Sequence, residues 1–338
     1  MPSRAGVSRL VWPLAALVAL IALNAVFTPS FLTLRIQDGH LFGSLVDILR
    51  NGAPTLLIAL GMTLVIATRG IDLSVGAVAA IAAAVTCVHI AGGGSAIVGM
   101  VLALALCVLL GLWNGFLVTV LGIQPIIATL VLMTAGRGLA MLITEGQIIT
   151  VNNDLFSQIG AGFLVLPIAI LISLAALVGV ALLTRRTALG MLIEAVGVNP
   201  EASRLAGVRS RTIVWTVYVF VALCAGVAGL MLASNVNSAD ANNLGLWIEM
   251  DAILAVVIGG TSLAGGRYSL LGTLLGALVI QTLTTTVYTI GVPTNVTLVF
   301  KAVVVIAVCL LQSPRAAGLL RGRASRPSTP DSAEVSAP

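Results

Sequence analysis

The chain has 338 residues, 59% of them apolar and only 9% charged, with 17 basic against 12 acidic side chains and a formal net charge of +5. A water-soluble domain of this size needs far more charge on its surface, so a soluble globular enzyme is excluded. The apolar residues run on continuously for about 20 positions at a time instead of alternating, which excludes a β-barrel and indicates an all-α, polytopic membrane helix bundle.

Taken in order, the apolar runs predict about ten transmembrane helices: 10–28, 46–68, 73–90, 96–121, 126–144, 163–184, 212–233, 249–263, 270–290 and 296–313. The first follows Arg4 and Arg9 like a secretory leader. It is long for one and no clear cleavage site follows, so it reads as a retained span. With the N-terminus inside, the even-numbered loops hold Arg69, the five arginines between 184 and 211, and Arg267, and the two tails add Arg4, Arg9, Arg315, Arg321, Arg323 and Arg326. The outer loops hold Arg35 and the acids Asp38, Glu145, Asp154 and Asp240. This asymmetry predicts that both termini are cytoplasmic. It also accounts for the net positive charge without a nucleic acid, since no basic face carries interleaved aromatics. The membrane domain is predicted over 1–313, with a loop at 184–211 and a disordered cytoplasmic tail, rich in Pro and Ser, at 314–338.

Two turns look alike. Val65-Ile66 leads into TRGIDLSVGAV and Val257-Ile258 into GGTSLAGGRYSLLG, which suggests an internal repeat of the kind transporters use. Gly111-x-x-x-Gly115 and Gly272-x-x-x-Gly276 allow close helix approach. Cys87, Cys107, Cys224 and Cys309 all fall in apolar runs and read as small buried residues, and the pair Cys87-x-His89 lacks a third ligand, so no metal is expected.

Chemistry is sparse. His40 and His89 are the only histidines, no hydrolase or protease motif is present, and the single lysine, Lys301, lies in the tenth predicted span. A phosphate-binding P-loop needs a Gly-Lys step, so this chain does not hold ATP that way. Arg50, Asp72, Arg137, Glu249, Asp251 and Lys301 are the charges in or near spans. Intramembrane charge marks function, although snorkelling near span ends also accommodates it. No acid is expected at mid-membrane with a partner, which argues against an ion-coupled carrier. Asp72 is expected to cap the helix that restarts near Val75, with a lining role as the second reading. The neutral polar residues Asn114, Gln124, Thr129, Gln147, Asn152, Asn242, Asn243 and Gln281 suit a hydroxyl-rich neutral solute such as a sugar, or bonds between helices. The candidate translocation path is therefore Asp72, Asn114, Gln124, Thr129, Arg137, Asn242, Asn243 and Lys301.

The polar island at 184–211 stands out in this greasy chain. Its core, IEAVGVNPEASRLAGV at 193–208, resembles the cytoplasmic coupling segment of sugar-importing ABC permeases of the ribose type. Glu194, Ala195, Gly197, Asn199, Ala202, Ala206 and Gly207 match that pattern, while Ser203 stands where a second alanine is commoner. GIDLSVGA (70–77), IQPIIATL (123–130) and AILAVVIGGTSLAGGR (252–267) are also family-like, so the resemblance runs from about Gln37 to Gln312. QDGHLFGS (37–44), AGRGLAMLITEGQIIT (135–150) and SADANNLGLWIEMDAILAVVIGG (238–260) resemble galactofuranose-type permeases in particular. The resemblance implies a multi-pass permease of the bacterial inner membrane and a short helix around Glu194-Ala195-x-Gly197 that docks on an ATPase subunit. It further implies a second permease, identical or not, a periplasmic sugar-binding protein, and ATP and Mg held by the partner rather than by this chain. A stand-alone secondary transporter or facilitator is the competing reading. Contact of the island with acidic lipid heads accounts for its charge alone.

Overall fold

The computed structural model describes residues 4–28, 30–37, 39–291, 299, 301–303 and 306. Helices make up most of it: α1 (Arg4–Phe27), α2 (Ser44–Ala67), α3 (Val75–Ala91), α4 (Ala96–Thr119), α5 (Pro125–Ile143), α6 (Asp154–Ala161), α7 (Ile168–Arg186), α8 (Leu189–Val198), α9 (Pro200–Leu205), α10 (Ser210–Val236), α11 (Ile248–Ile258) and α12 (Leu270–Thr289). Two small antiparallel ribbons join loops. In one, β1 (Arg35–Gln37) pairs with β2 (His40–Phe42), placing Ile36 opposite Leu41; in the other, β3 (Ile149–Thr150) pairs with β4 (Ser238–Ala239), placing Ile149 opposite Ala239.

Among the described residues, α1, α2, α4, α5, α7, α10 and α12 are long and apolar enough to cross a bilayer, seven in all. Each predicted span from 10–28 to 270–290 falls on a helix, but two are shorter than the apolar run. Helix α7 begins at Ile168 rather than 163, because Pro167 has no N–H to extend a helix upstream and Phe163 instead bridges to Pro167. Helix α11 ends at Ile258 rather than 263, where Gly259 and the left-handed Gly260 (φ +84°) turn the chain. Its 11 residues rise about 16 Å, roughly half the hydrocarbon thickness. Helix α11 is thus a half-span. Of the tenth predicted span, 296–313, the described residues 299, 301–303 and 306 are helical. The remainder of that span and the tail at 314–338 lie outside the described residues.

Helix α2 is buried along most of its length and packs on α10, α12, α11 and α7, while α10 also holds α3 and α4. Helices α1, α4, α5 and α7 turn broad apolar faces outward, including Val18, Val101, Val131, Leu142 and Leu182. Hydrocarbon has no preference for apolar protein over lipid, so the interior is assembled from small residues that let backbones meet. A Cβ on Gly111 would lie 2.7 Å from Val219 Cα, and Gly115 receives the Trp215 ring, which joins α4 to α10. Gly272 and Gly276 press on the backbone at Gly259 and Ala255, which joins α12 to α11. Hydroxyl and amide contacts add specificity: the Thr63 and Thr273 hydroxyls meet at 2.7 Å, and Asn24 donates to Thr286 at 2.6 Å.

The two look-alike turns meet. Gly266 donates its N–H to the Ala67 carbonyl at 2.9 Å, and Arg69 Nε donates to Ala264 O at 3.1 Å. From this shared level residues 68–74 run without helix until α3 starts at Val75. A Cβ on Gly76 would fall 2.6 Å from Gly245 O, beside the Glu249 carboxylate. Helices α3 and α11 therefore begin at the same depth, α11 running toward the island and α3 away from it.

Candidate functional site

The island folds as two short helices. Asn199 ends α8 and starts α9, its Oδ1 accepting from Ala202 N at 3.0 Å, and Pro200 follows at the first helical position, where its missing N–H costs nothing. Gly207 (φ +84°) closes α9: its N–H bonds Arg204 O at 3.0 Å and Val208 N–H bonds Ser203 O at 2.9 Å, a Schellman turn. Ser203 is buried and donates to Asn199 O at 2.9 Å, so the hydroxyl that departs from the family pattern is used inside the turn. On the exposed side, Arg204 holds the Glu201 carboxyl below its ordinary range through a two-point contact.

Helix α8 sits on the paired turns. Ile193 and Val196 are fully buried beneath it. At Gly197 any Cβ would overlap the Ala67 carbonyl and crowd Gly266 N, and Arg69 reaches over to donate to the Val198 carbonyl. The opposite face is open: Met191 (69% exposed), Ala195, Val198, Asn199, Ala202, Leu205 (77% exposed) and Ala206. Glu194 is half-buried at the edge, lining a cleft of about 360 Å³ with Thr184, Arg185, Met191 and Tyr268. Burial pushes the Tyr268 phenol above its ordinary range there, against the opposing pull of its bond to Thr184. The arrangement is a plate whose exposed side mixes apolar Met191, Val198 and Leu205 with the Glu201–Arg204 pair, fixed by backbone contact to the end of α2 and to the Gly266 turn between α11 and α12.

Seven of the eight predicted path residues separate into three groups. Asp72, Asn114 and Thr129 are buried. Asp72 Oδ1 accepts from Ser74 N (2.9 Å) and Ser74 Oγ (2.6 Å), and Asn114 Nδ2 donates to Ser74 Oγ at 3.0 Å. Asp72 therefore forms a tight turn onto Ser74 rather than reaching the N–H groups near Val75, and Ser74, not Asp72, occupies the cap position. Thr129 donates to Ile71 O at 3.2 Å and Pro125 O at 2.9 Å, holding the same linker from α5. Tyr218, which no motif or spacing singles out, lies against Gly70 with its hydroxyl buried and unpartnered among the described residues.

Arg137 forms the second group with the loop before α11. It donates from Nη1 to Ala241 O (3.0 Å) and Leu244 O (2.7 Å). Asn242 and Asn243 are exposed on that loop, their N–H groups held by Asp240. The Asn243 amide further donates to Asp240 Oδ2 at 2.8 Å, and these bonds lower the Asp240 carboxyl from its ordinary range. The third group corrects an expectation: Lys301 grips both oxygens of Asp251 at 2.8 and 3.1 Å, so an acid of the half-span does have a cationic partner. Fifty residues separate them, and nothing in local pattern announces the pair. Gln124 is exposed at the start of α5 and makes no cap bond.

Known proteins align over nearly the whole chain. It is 50% identical over 327 residues to the galactofuranose transporter permease protein YtfT of Escherichia coli (strain K12), covering 95% of this chain and 96% of that one. It is 42% identical over 315 residues to the fructose import permease protein FruF of Bifidobacterium longum (strain NCC 2705), covering 91% and 88%. Against the ribose import permease protein RbsC of Bacillus subtilis (strain 168) the identity is 36% over 315 residues, covering 92% and 95%. No solved structure matches. Residues 44–309 match the family described as branched-chain amino acid transport system / permease component, and the chain belongs to that family of membrane permeases.

Proposed function

We propose that this chain is the membrane permease subunit of an ATP-driven monosaccharide importer of the galactofuranose type. It lies in the bacterial inner membrane with both termini and the island in the cytoplasm. A periplasmic binding protein delivers the sugar, and partner ATPase subunits, which hold ATP and Mg, work through α8 and α9. A second permease, identical or homologous, completes the pathway. Relatives named as galactofuranose, fructose and ribose permeases support the sugar reading.

One observation carries the mechanism: α8 has no flexible linker to the membrane turns. Gly197 and Val198 touch the Ala67–Arg69 and Ala264–Gly266 turns directly. An ATPase that grips the exposed face at Met191, Ala195, Asn199, Ala202, Leu205, Ala206 and the Gly207 turn therefore displaces the end of α2 and the turn between α11 and α12 with it. Glu194, at the edge of that face, orients the contact. Closure of the ATPases tilts the plate, and packed helices respond by switching between discrete arrangements rather than by bending. Neutral amides suit an uncharged solute. The test is uptake by cells carrying this chain with its partners, against Glu194→Arg in the same background. Membrane levels that stay normal while uptake falls would support the coupling role; normal uptake by the variant would remove it.

The Asp251–Lys301 pair favours a second reading, a carrier driven by an ion gradient, since such carriers place paired charges among their spans. Its distinguishing property is uptake that needs no ATPase and stops when the gradient collapses.

A further inference from the structure

We propose that Trp247 is a specificity-determining residue of the translocation path, a platform on which the apolar face of the sugar stacks; the inference rests on the sugar-import reading above. Among the described residues only Arg69, Glu145, Asn237 and Trp247 adopt a left-handed backbone without being glycine. For a bulky side chain this is a strained choice that glycine would relieve, and strain of this kind persists where a side chain is needed for function. Gly245, two residues earlier, adopts the same conformation (φ +67°) at no cost, whereas position 247 (φ +65°) carries the largest side chain available. Trp247 is 47% exposed, and Asn242, Asn243, Leu246 and Met250 of the same segment are exposed as well.

Depth sets Trp247 apart from an interfacial anchor. It caps α11, whose 11 residues place it about 16 Å from the turn beneath the island, near the middle of the bilayer and not at the headgroup level where anchoring tryptophans sit. The mount is held at several points: Arg137 donates to Ala241 O and Leu244 O, Asp240 accepts from the N–H groups of Asn242 and Asn243, and Gly245 lies on Gly76. A monosaccharide has a C–H face that an indole plane complements and a hydroxyl rim that the neighbouring amides can bond. Sites for such ligands combine an aromatic surface with a few placed polar groups.

The test uses the complete assembly of both permeases, ATPase and binding protein in proteoliposomes. The probe is whichever of labelled galactose, ribose, arabinose or xylose the wild type takes up. Trp247→Gly removes the ring and the strain together, so its melting temperature should hold or rise while uptake falls roughly tenfold, the rate equivalent of one lost aromatic contact. Trp247→Phe keeps a ring on the same strained backbone and should retain most of the uptake. Wild-type uptake by Trp247→Gly would overturn the proposal. So would a loss of uptake in step with a lower melting temperature or a dissociated assembly, which would make Trp247 a packing residue. A wild-type assembly that takes up none of the four sugars under ATP would instead bring down the sugar-import reading, and this inference with it.

Discussion

Gly197 has no room for a side chain, because the space its Cβ would fill belongs to the Ala67 carbonyl. Gly197→Ala must lift α8 from the membrane turns. Overpacking of this kind costs about 1–3 kcal/mol, and the geometry predicts a disproportionate loss of uptake from a protein that still inserts. Comparing membrane level with uptake rate checks it; wild-type uptake would show that the contact transmits nothing. A different residue-scale prediction concerns Lys301 and Asp251, both mostly buried. Removing one partner strands a charge, at a cost of about 3–5 kcal/mol for a fully buried pair and less here, whereas replacing both with apolar residues is close to neutral. Lys301→Met should therefore lower the melting temperature of the purified protein more than Asp251→Leu combined with Lys301→Met. If the double variant is the less stable, the pair is not a simple charge balance. Were the pair instead the ion site of a gradient-driven carrier, the stable double variant would lose all uptake.

At the scale of elements, α9 has only six residues and depends on its ends. Losing the Asn199 cap costs a helix about 1 kcal/mol, so Asn199→Ala should fray α9 and reduce uptake partly, while Asn199→Asp, which caps as well, should retain it. Transport assays on the two variants separate the cap from the amide itself; equal damage by both would mean that the amide contacts a partner. The elements also mark how far local pattern reaches. Long spans were legible because 20 apolar residues have few other fates. The ends of α7 and α11 were not, since a hydropathy run continues through Pro167 and Gly259–Gly260 although the helix does not. The likeness of the two turns was visible as similar letters around Ile66 and Ile258, but not that they would bond each other through Gly266 and Ala67. In the site, a helix around Glu194–Gly197 was legible as a family pattern, but the break at Asn199 and Pro200 that starts α9 was not anticipated. Asp72 was misplaced by two residues because Ser74 offered it a nearer N–H and hydroxyl. Lys301–Asp251 and Arg137 with the 241–244 loop depend on tertiary packing, which spacing along the chain does not encode.

For the whole molecule, the consistent theme is direct contact between the island plate and two membrane turns, one leading into the linker below α3 and the other closing the half-span α11. Movement of the plate has a short path to the level where α3 and α11 begin, and the Asn242, Asn243 and Trp247 loop is mounted there. In the proposed reading this chain supplies the lever and the path, and partner ATPase subunits supply the energy. The most direct test is labelled-sugar uptake in cells expressing this chain with its partners, with arsenate to drain ATP or an uncoupler to collapse the proton gradient. Uptake abolished by arsenate and retained with the uncoupler is the predicted result. Uptake abolished by the uncoupler while ATP persists would contradict the account and leave the plate at 189–205 without its role.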